Sequence, residues 1–315
     1  MLITDTAQAA ASRPGTAAAS ARTPSPRPVA ARADSSALHP AALPPTGPIG
    51  SEMAAVPQQG TKATLTAELA MQRHVTLELQ RAILPLHDEP FDLPGLRAMV
   101  QYLPASSASR VGGDWYITAE LPDGQVLLAI GDVAGHGLAA AAGMARLRGA
   151  LAGLSITGAP PEQLVGWLND LARHVGPEHT ASVVAGYFDP VSRMLTWAQA
   201  GHPPPILIRG PWARQLPQPE GILLGAGLSA YAAATVQLQP GDLLLLYSDG
   251  LVERRDRSID EGLDILLQAV RQAADPELVI RAALGALGST DPEDDTCLVA
   301  LQVIDPAAAS STELG

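Results

Sequence analysis

Aspartate recurs in this sequence in one local form, at the end of an apolar run and beside a glycine or a second acid. The segments are Gly113-Asp114, Gly131-Asp132, Asp249-Gly250 and Asp294-Asp295. Hard divalent cations such as Mg²⁺ and Mn²⁺ prefer oxygen donors, so carboxylates converging from separate strand ends suit a pair of them. Two of the segments fall in the stretch VGGDWYITAELPDGQVLLAIGDVAGHG, Val111 to Gly137. Asp123-Gly124 in its middle is a tight-turn dipeptide, and strands leaving it antiparallel bring Asp114 close to Asp132. Carboxylates that meet in this way repel unless a cation or a proton lies between them. Gly112 and Gly113 leave the backbone room to approach a ligand. A single Asp-Gly is ordinary turn chemistry, and solvated turn aspartates are the competing reading of the set.

The elements that must position these acids follow from periodicity. Leu138 to Leu154 is rich in helix formers and small residues. Leu164, Trp167, Leu168, Leu171 and Val175 mark Pro161–Val175 as an amphipathic helix. Ala181–Phe188 and Met194–Gln199 flank the turn signal Asp189-Pro190-Val191-Ser192 and read as a hairpin. Further strands are expected in LRAMVQYLP and at Ile206–Ile208, Thr235–Leu238, Leu243–Tyr247 and Thr296–Val303, with helices at about 262–273 and 276–287. The run LLLLY is apolar on both faces, as a strand in the middle of a stack must be. Strands come in antiparallel pairs and helices in two groups, unlike a βαβ alternation. The expected fold class is α+β, with two stacked antiparallel β-sheets flanked by helices.

Residues 1–60 are dominated by Ala, Pro, Ser, Thr and Gly and read as disordered. Residues 61–86 read as a helical linker, with Leu65, Leu69, Leu79 and Ile83 on one face and Gln72 and Thr76 interrupting it. That helix either packs on the following domain or pairs with a second copy as a homodimer. The folded domain is expected over 87–305 and a flexible tail over 306–315. A net charge of -12 argues against a nucleic-acid partner, since phosphate backbones need basic surface. The one cysteine, Cys297, excludes a disulfide framework and a cysteine-rich zinc site. With no signal-peptide pattern and no apolar run long enough to span a membrane, a cytoplasmic setting is expected.

The motifs VGGDW, IGDVAGHG, AGHPPP, LGAG, PGDLLLLYSDGLVE and DDTCLV, in this order, resemble the SpoIIE/RsbU-type bacterial branch of the PPM metal-dependent Ser/Thr protein phosphatases. The resemblance covers about residues 77–304, and LQRAILP is similar to the helix that leads into such domains. It implies an α-β-β-α sandwich and two Mn²⁺ or Mg²⁺ ions. Asp132 would touch both metals and the Val133 carbonyl would complete one. Asp114 would hold the second metal, and Asp249 and Asp294 the first, with Asp295 the runner-up to Asp294. The implied reaction is hydrolysis of a phosphoserine or phosphothreonine monoester by a water activated between the metals, with no protein nucleophile. The implied substrate is a phosphorylated STAS-type anti-anti-sigma factor in a partner-switching pathway.

The family's usual Asp-Asp-x-Thr carries Cys297 at its Thr position here. In the eukaryotic branch a histidine follows the bridging Asp at two residues, whereas His136 follows Asp132 at four. Its general-acid role therefore does not transfer, leaving a role toward phosphate or a structural one at the helix start. His202 reads as a turn and packing residue. A different class of function is a weakly active or inactive regulatory module that docks a signalling partner, with the small-residue helix 138–154 as its candidate regulatory element.

Overall fold

Val126–Val133 and Leu243–Tyr247 are apolar at nearly every position, and such strands are stable only where both faces are covered. The computed structural model provides that cover by stacking two antiparallel sheets. It describes residues 84–85, 87, 89–104, 112–175, 180–254, 257–287 and 295–305, together with Ala67 and Met71. The expected disordered segment 1–60, most of the 61–86 linker with its dimer reading, the 306–315 tail and Asp294 lie outside the described residues.

One sheet contains β1 (Phe91–Leu93), β2 (Leu96–Leu103), β7 (Ile206–Arg209), β8 (Trp212–Gln215), β10 (Leu243–Tyr247) and β11 (Thr296–Val303). Its order is β1-β2-β11-β10-β7-β8. The other contains β3 (Trp115–Glu120), β4 (Val126–Val133), β5 (Ala181–Asp189), β6 (Met194–Ala200) and β9 (Ala233–Gln237), in the order β3-β4-β5-β6-β9. Helices α1 (Leu138–Ser155) and α2 (Pro161–Val175) cover the second sheet, while α3 (Ile259–Val270) and α4 (Pro276–Leu287) cover the first. The layers run α-β-β-α, the arrangement that the resemblance implies.

The period-two rule divides β10 between two cores. Leu244 and Leu246 join the large core with Val299, Trp197 and Ile130, while Leu243, Leu245 and Tyr247 join the core that holds α3 and α4. Each fully buried leucine contributes on the order of 2 kcal/mol of apolar burial. Leu84 is buried in the large core, and Tyr116 Oη donates to the Pro85 carbonyl, so the chain just before β1 is fastened to β3.

Some boundaries differ from the sequence reading, each for a local reason. The helix expected at about 262–273 starts at Ile259, because Ser258 caps it and Glu261 returns the bond to the Ser258 amide. The Asp123-Gly124 turn is a five-residue connection between Glu120 and Val126. It is closed by the Leu121 amide donating to the Gln125 carbonyl at 2.8 Å. Gly124 supplies the φ of +83° that the connection requires. Strands β1 and β8 are short edge strands that the sequence did not announce.

Candidate metal centre

Strands of both sheets deliver acids to one end of the sandwich. Asp114 immediately precedes β3, Asp132 lies near the end of β4, Asp249 follows β10 by two residues, and Asp295 immediately precedes β11. Trp115 pairs with Gly131, so the hairpin sets Asp114 beside Asp132. Asp114 is only 2% exposed. Burial, then the Asp132 charge, hold its carboxyl well above the usual carboxylate range, with Asp295 and Asp249 adding to the effect. Four acids from two sheets therefore feel one another at a single place. Among the described residues, no three His, Cys, Asp or Glu side chains form a ready-made metal-binding group.

Small residues give this cluster its shape. A Cβ at Gly113 would collide with the Val133 carbonyl oxygen, and one at Gly112 would collide with the Asp295 carboxylate. A Cβ at Gly250 would strike the Asp295 carbonyl. Asp132 and Val133 stand at the mouth of the exposed turn Ala134–His136. The donor set is all oxygen, crowded with negative charge and lined by glycines that keep side chains out. These features fit hard divalent cations, because cations would relieve the repulsion that raises Asp114.

Polar neighbours orient the acids. Ser248 Oγ donates to Asp114 Oδ2 at 2.7 Å and accepts from the Cys297 amide at 3.0 Å. This hydroxyl joins the two sheets. Tyr102 Oη donates to Asp295 Oδ2 at 2.6 Å. Burial, with the Asp295 and Asp114 charges behind it, pushes the Tyr102 phenol well above its ordinary value, so it remains a donor. Cys297 is fully buried, and burial raises its thiol. His136 is exposed in the turn between β4 and α1.

The structure thus brings together Asp114, Asp132, Asp249 and Asp295, with Gly113 against Val133. Asp294 lies outside the described residues. The sequence reading missed the Ser248 and Tyr102 bonds. Their only signal was position, Ser248 beside Asp249 and Tyr102 opposite Cys297 on the neighbouring strand.

Comparison with known proteins gives this arrangement a setting. The family model for stage II sporulation protein E (SpoIIE) matches residues 122–304. A solved structure of the RsbU and RsbW domains of a Mycobacterium tuberculosis protein is 30% identical, with a TM-score of 0.62, over 68% of this chain and 62% of that one. The PP2C phosphatase domain of SpoIIE from Bacillus subtilis, solved with a fragment of its regulatory domain, is 20% identical. It has a TM-score of 0.55 over 66% of this chain and 62% of that one. The catalytic domain of the serine/threonine phosphatase PstP, solved with 2 manganese ions, is 20% identical. Its TM-score is 0.51 over 67% of this chain and 99% of that one. The chain thus spans less than two thirds of the first two proteins.

Proposed function

Because this chain belongs to the SpoIIE family, in the RsbU-type branch of the PPM phosphatases, we propose that it is a metal-dependent protein serine/threonine phosphatase. The observation that carries the reading is the acidic cluster, in which Asp132, Asp295 and Asp249 all act on the buried Asp114 carboxyl. In this reading Asp114, Asp132, Asp249, Asp294 and the Val133 carbonyl would hold two Mn²⁺ or Mg²⁺ ions, with Asp295 the alternative to Asp294. Such ions supply Lewis acidity, which acidifies a water and neutralises charge on a phosphoryl group.

The protein's own part is placement and exclusion. Ser248 fixes one Asp114 oxygen, which holds the carboxylate in one orientation. Gly113 lets the backbone pass close to the Val133 carbonyl, where a side chain would collide with it. Neither nearby nucleophile suits covalent catalysis: the Ser248 hydroxyl is committed to Asp114, and the Cys297 thiol is buried with its pKa raised. The substrate reading is a phosphoserine or phosphothreonine on a STAS-type anti-anti-sigma factor. It is supported by the family and by the solved relative that joins RsbU and RsbW domains.

The purified protein is expected to release phosphate from p-nitrophenyl phosphate and from a phosphorylated STAS protein only with Mn²⁺ or Mg²⁺. Asp132→Ala should abolish release. Activity that survives both EDTA and Asp132→Ala overturns the mechanism. Tight partner binding with no turnover at any metal concentration would indicate a docking module instead.

A further inference from the structure

His202 lies outside the acidic cluster but touches the backbone framework of both halves of it. Its ring is 1% exposed. Ser182 Oγ lies 2.7 Å from Nδ1, and the Tyr247 carbonyl lies 3.2 Å from Nε2. A carbonyl can only accept, so Nε2 carries the hydrogen, and in the neutral ring Nδ1 accepts from the Ser182 hydroxyl. Ser182 is the β5 residue paired with Asp132, and Tyr247 ends β10 two residues before Asp249. One ring therefore joins the strand neighbour of an acid in one sheet to the strand that delivers an acid from the other.

The histidine backbone is pinned as well. Gln199 Nε2 donates to the His202 carbonyl at 3.2 Å, and Gly201, at φ +62°, bridges to Val183. Pro203, Pro204 and Pro205 stiffen the chain that follows. Both ring nitrogens find their partners in different sheets, so the bonds that burial requires also link the sheets. Burial lowers the His202 pKa to about 3, so the ring keeps this neutral tautomer under ordinary conditions.

We infer that His202 is a positioning residue: by tying Tyr247 to Ser182, it fixes the spacing between the carboxylates that the two sheets contribute. The inference rests on reading those carboxylates as cation ligands. Its consequence is that the metal affinity of the site depends on a side chain that makes no contact with the metal.

The test is calorimetric Mn²⁺ binding to full-length wild type, His202→Ala, His202→Gln and Ser182→Ala, with unfolding midpoints of each protein in EDTA. His202→Ala is expected to weaken Mn²⁺ binding about 10- to 100-fold. His202→Gln, whose amide can still donate to the Tyr247 carbonyl, should recover most of that loss. Ser258→Ala, which removes the exposed cap of α3, should lower the metal-free midpoint and leave Mn²⁺ affinity unchanged. Nitrogen-15 NMR of the wild type should show His202 protonated at Nε2. His202→Ala binding Mn²⁺ within twofold of wild type, or the Nδ1-protonated tautomer, overturns the inference. If His202→Ala does not fold, Ser182→Ala and His202→Gln carry the test, with weakened binding expected for the first and near-normal binding for the second. Wild type that neither binds Mn²⁺ nor hydrolyses a phosphomonoester overturns the metal-centre reading itself, and the role of His202 with it.

Discussion

Gly113 leaves no room for a side chain, because a Cβ there would collide with the Val133 carbonyl oxygen. Gly113→Ala is expected to lower Mn²⁺-dependent turnover about 10- to 100-fold, read by p-nitrophenyl phosphate hydrolysis across a metal titration. Asp114 presents the opposite case, a residue that costs stability. Its pKa in the fold is raised above its unfolded value, so its charged form opposes folding at neutral pH. Asp114→Asn should therefore raise the unfolding midpoint in EDTA, by about 2–4 °C for each kcal/mol of relieved repulsion, while abolishing metal binding. His202 has the reverse sign. Its pKa is depressed from 6.5 to about 3, so the stability it lends is full above 6.5 and is lost as pH falls toward 3. In metal-free protein, Asp114→Asn should steepen the acid-side loss of stability and His202→Gln should flatten it, as measured by denaturant titration at stepped pH.

The elements that hold these residues differ in how openly the sequence declares them. Pro161–Val175, Leu243–Tyr247, Pro276–Leu287 and Thr296–Val303 have the expected bounds, because the helices carry a clear period and the strands are continuous apolar runs. The start of α3 was misplaced because the Ser258–Glu261 capping box lies outside the apolar repeat that marks the helix. Ser258→Ala should cost about 1 kcal/mol in thermal unfolding and leave turnover per folded molecule unchanged. Strand β8 was illegible because four alternately exposed residues, WARQ, carry little pattern. Its position comes instead from pairing with β7, whose Arg209 is bound to Asp242 at 2.6 Å. The same division holds at the site. The meeting of Asp114 and Asp132 was legible because a hairpin is a local device. The Ser248–Asp114 bond spans 134 residues and the Tyr102–Asp295 bond spans 193, distances over which sequence pattern carries no register.

At the scale of the molecule, the proposed metal binding would be linked to folding, because the oxygen cluster is assembled only when both sheets are in place. Mn²⁺ at about 100 times its dissociation constant should stabilise the wild type by about 2.7 kcal/mol in thermal unfolding, and Asp132→Ala by much less. The interleaving of the sheets has a further consequence during synthesis. β11 is the latest of the described strands to be made, yet it lies inside its sheet, pairing along its whole length with β2 and along β10 on its other side. Until residues 296–303 leave the ribosome, β2 and β10 each present an unpaired edge, that of β10 made of four leucines and a tyrosine. Such edges are where nascent chains aggregate or are taken up by chaperones. Slowed translation just upstream of β11 should therefore lower soluble yield more than a pause after it.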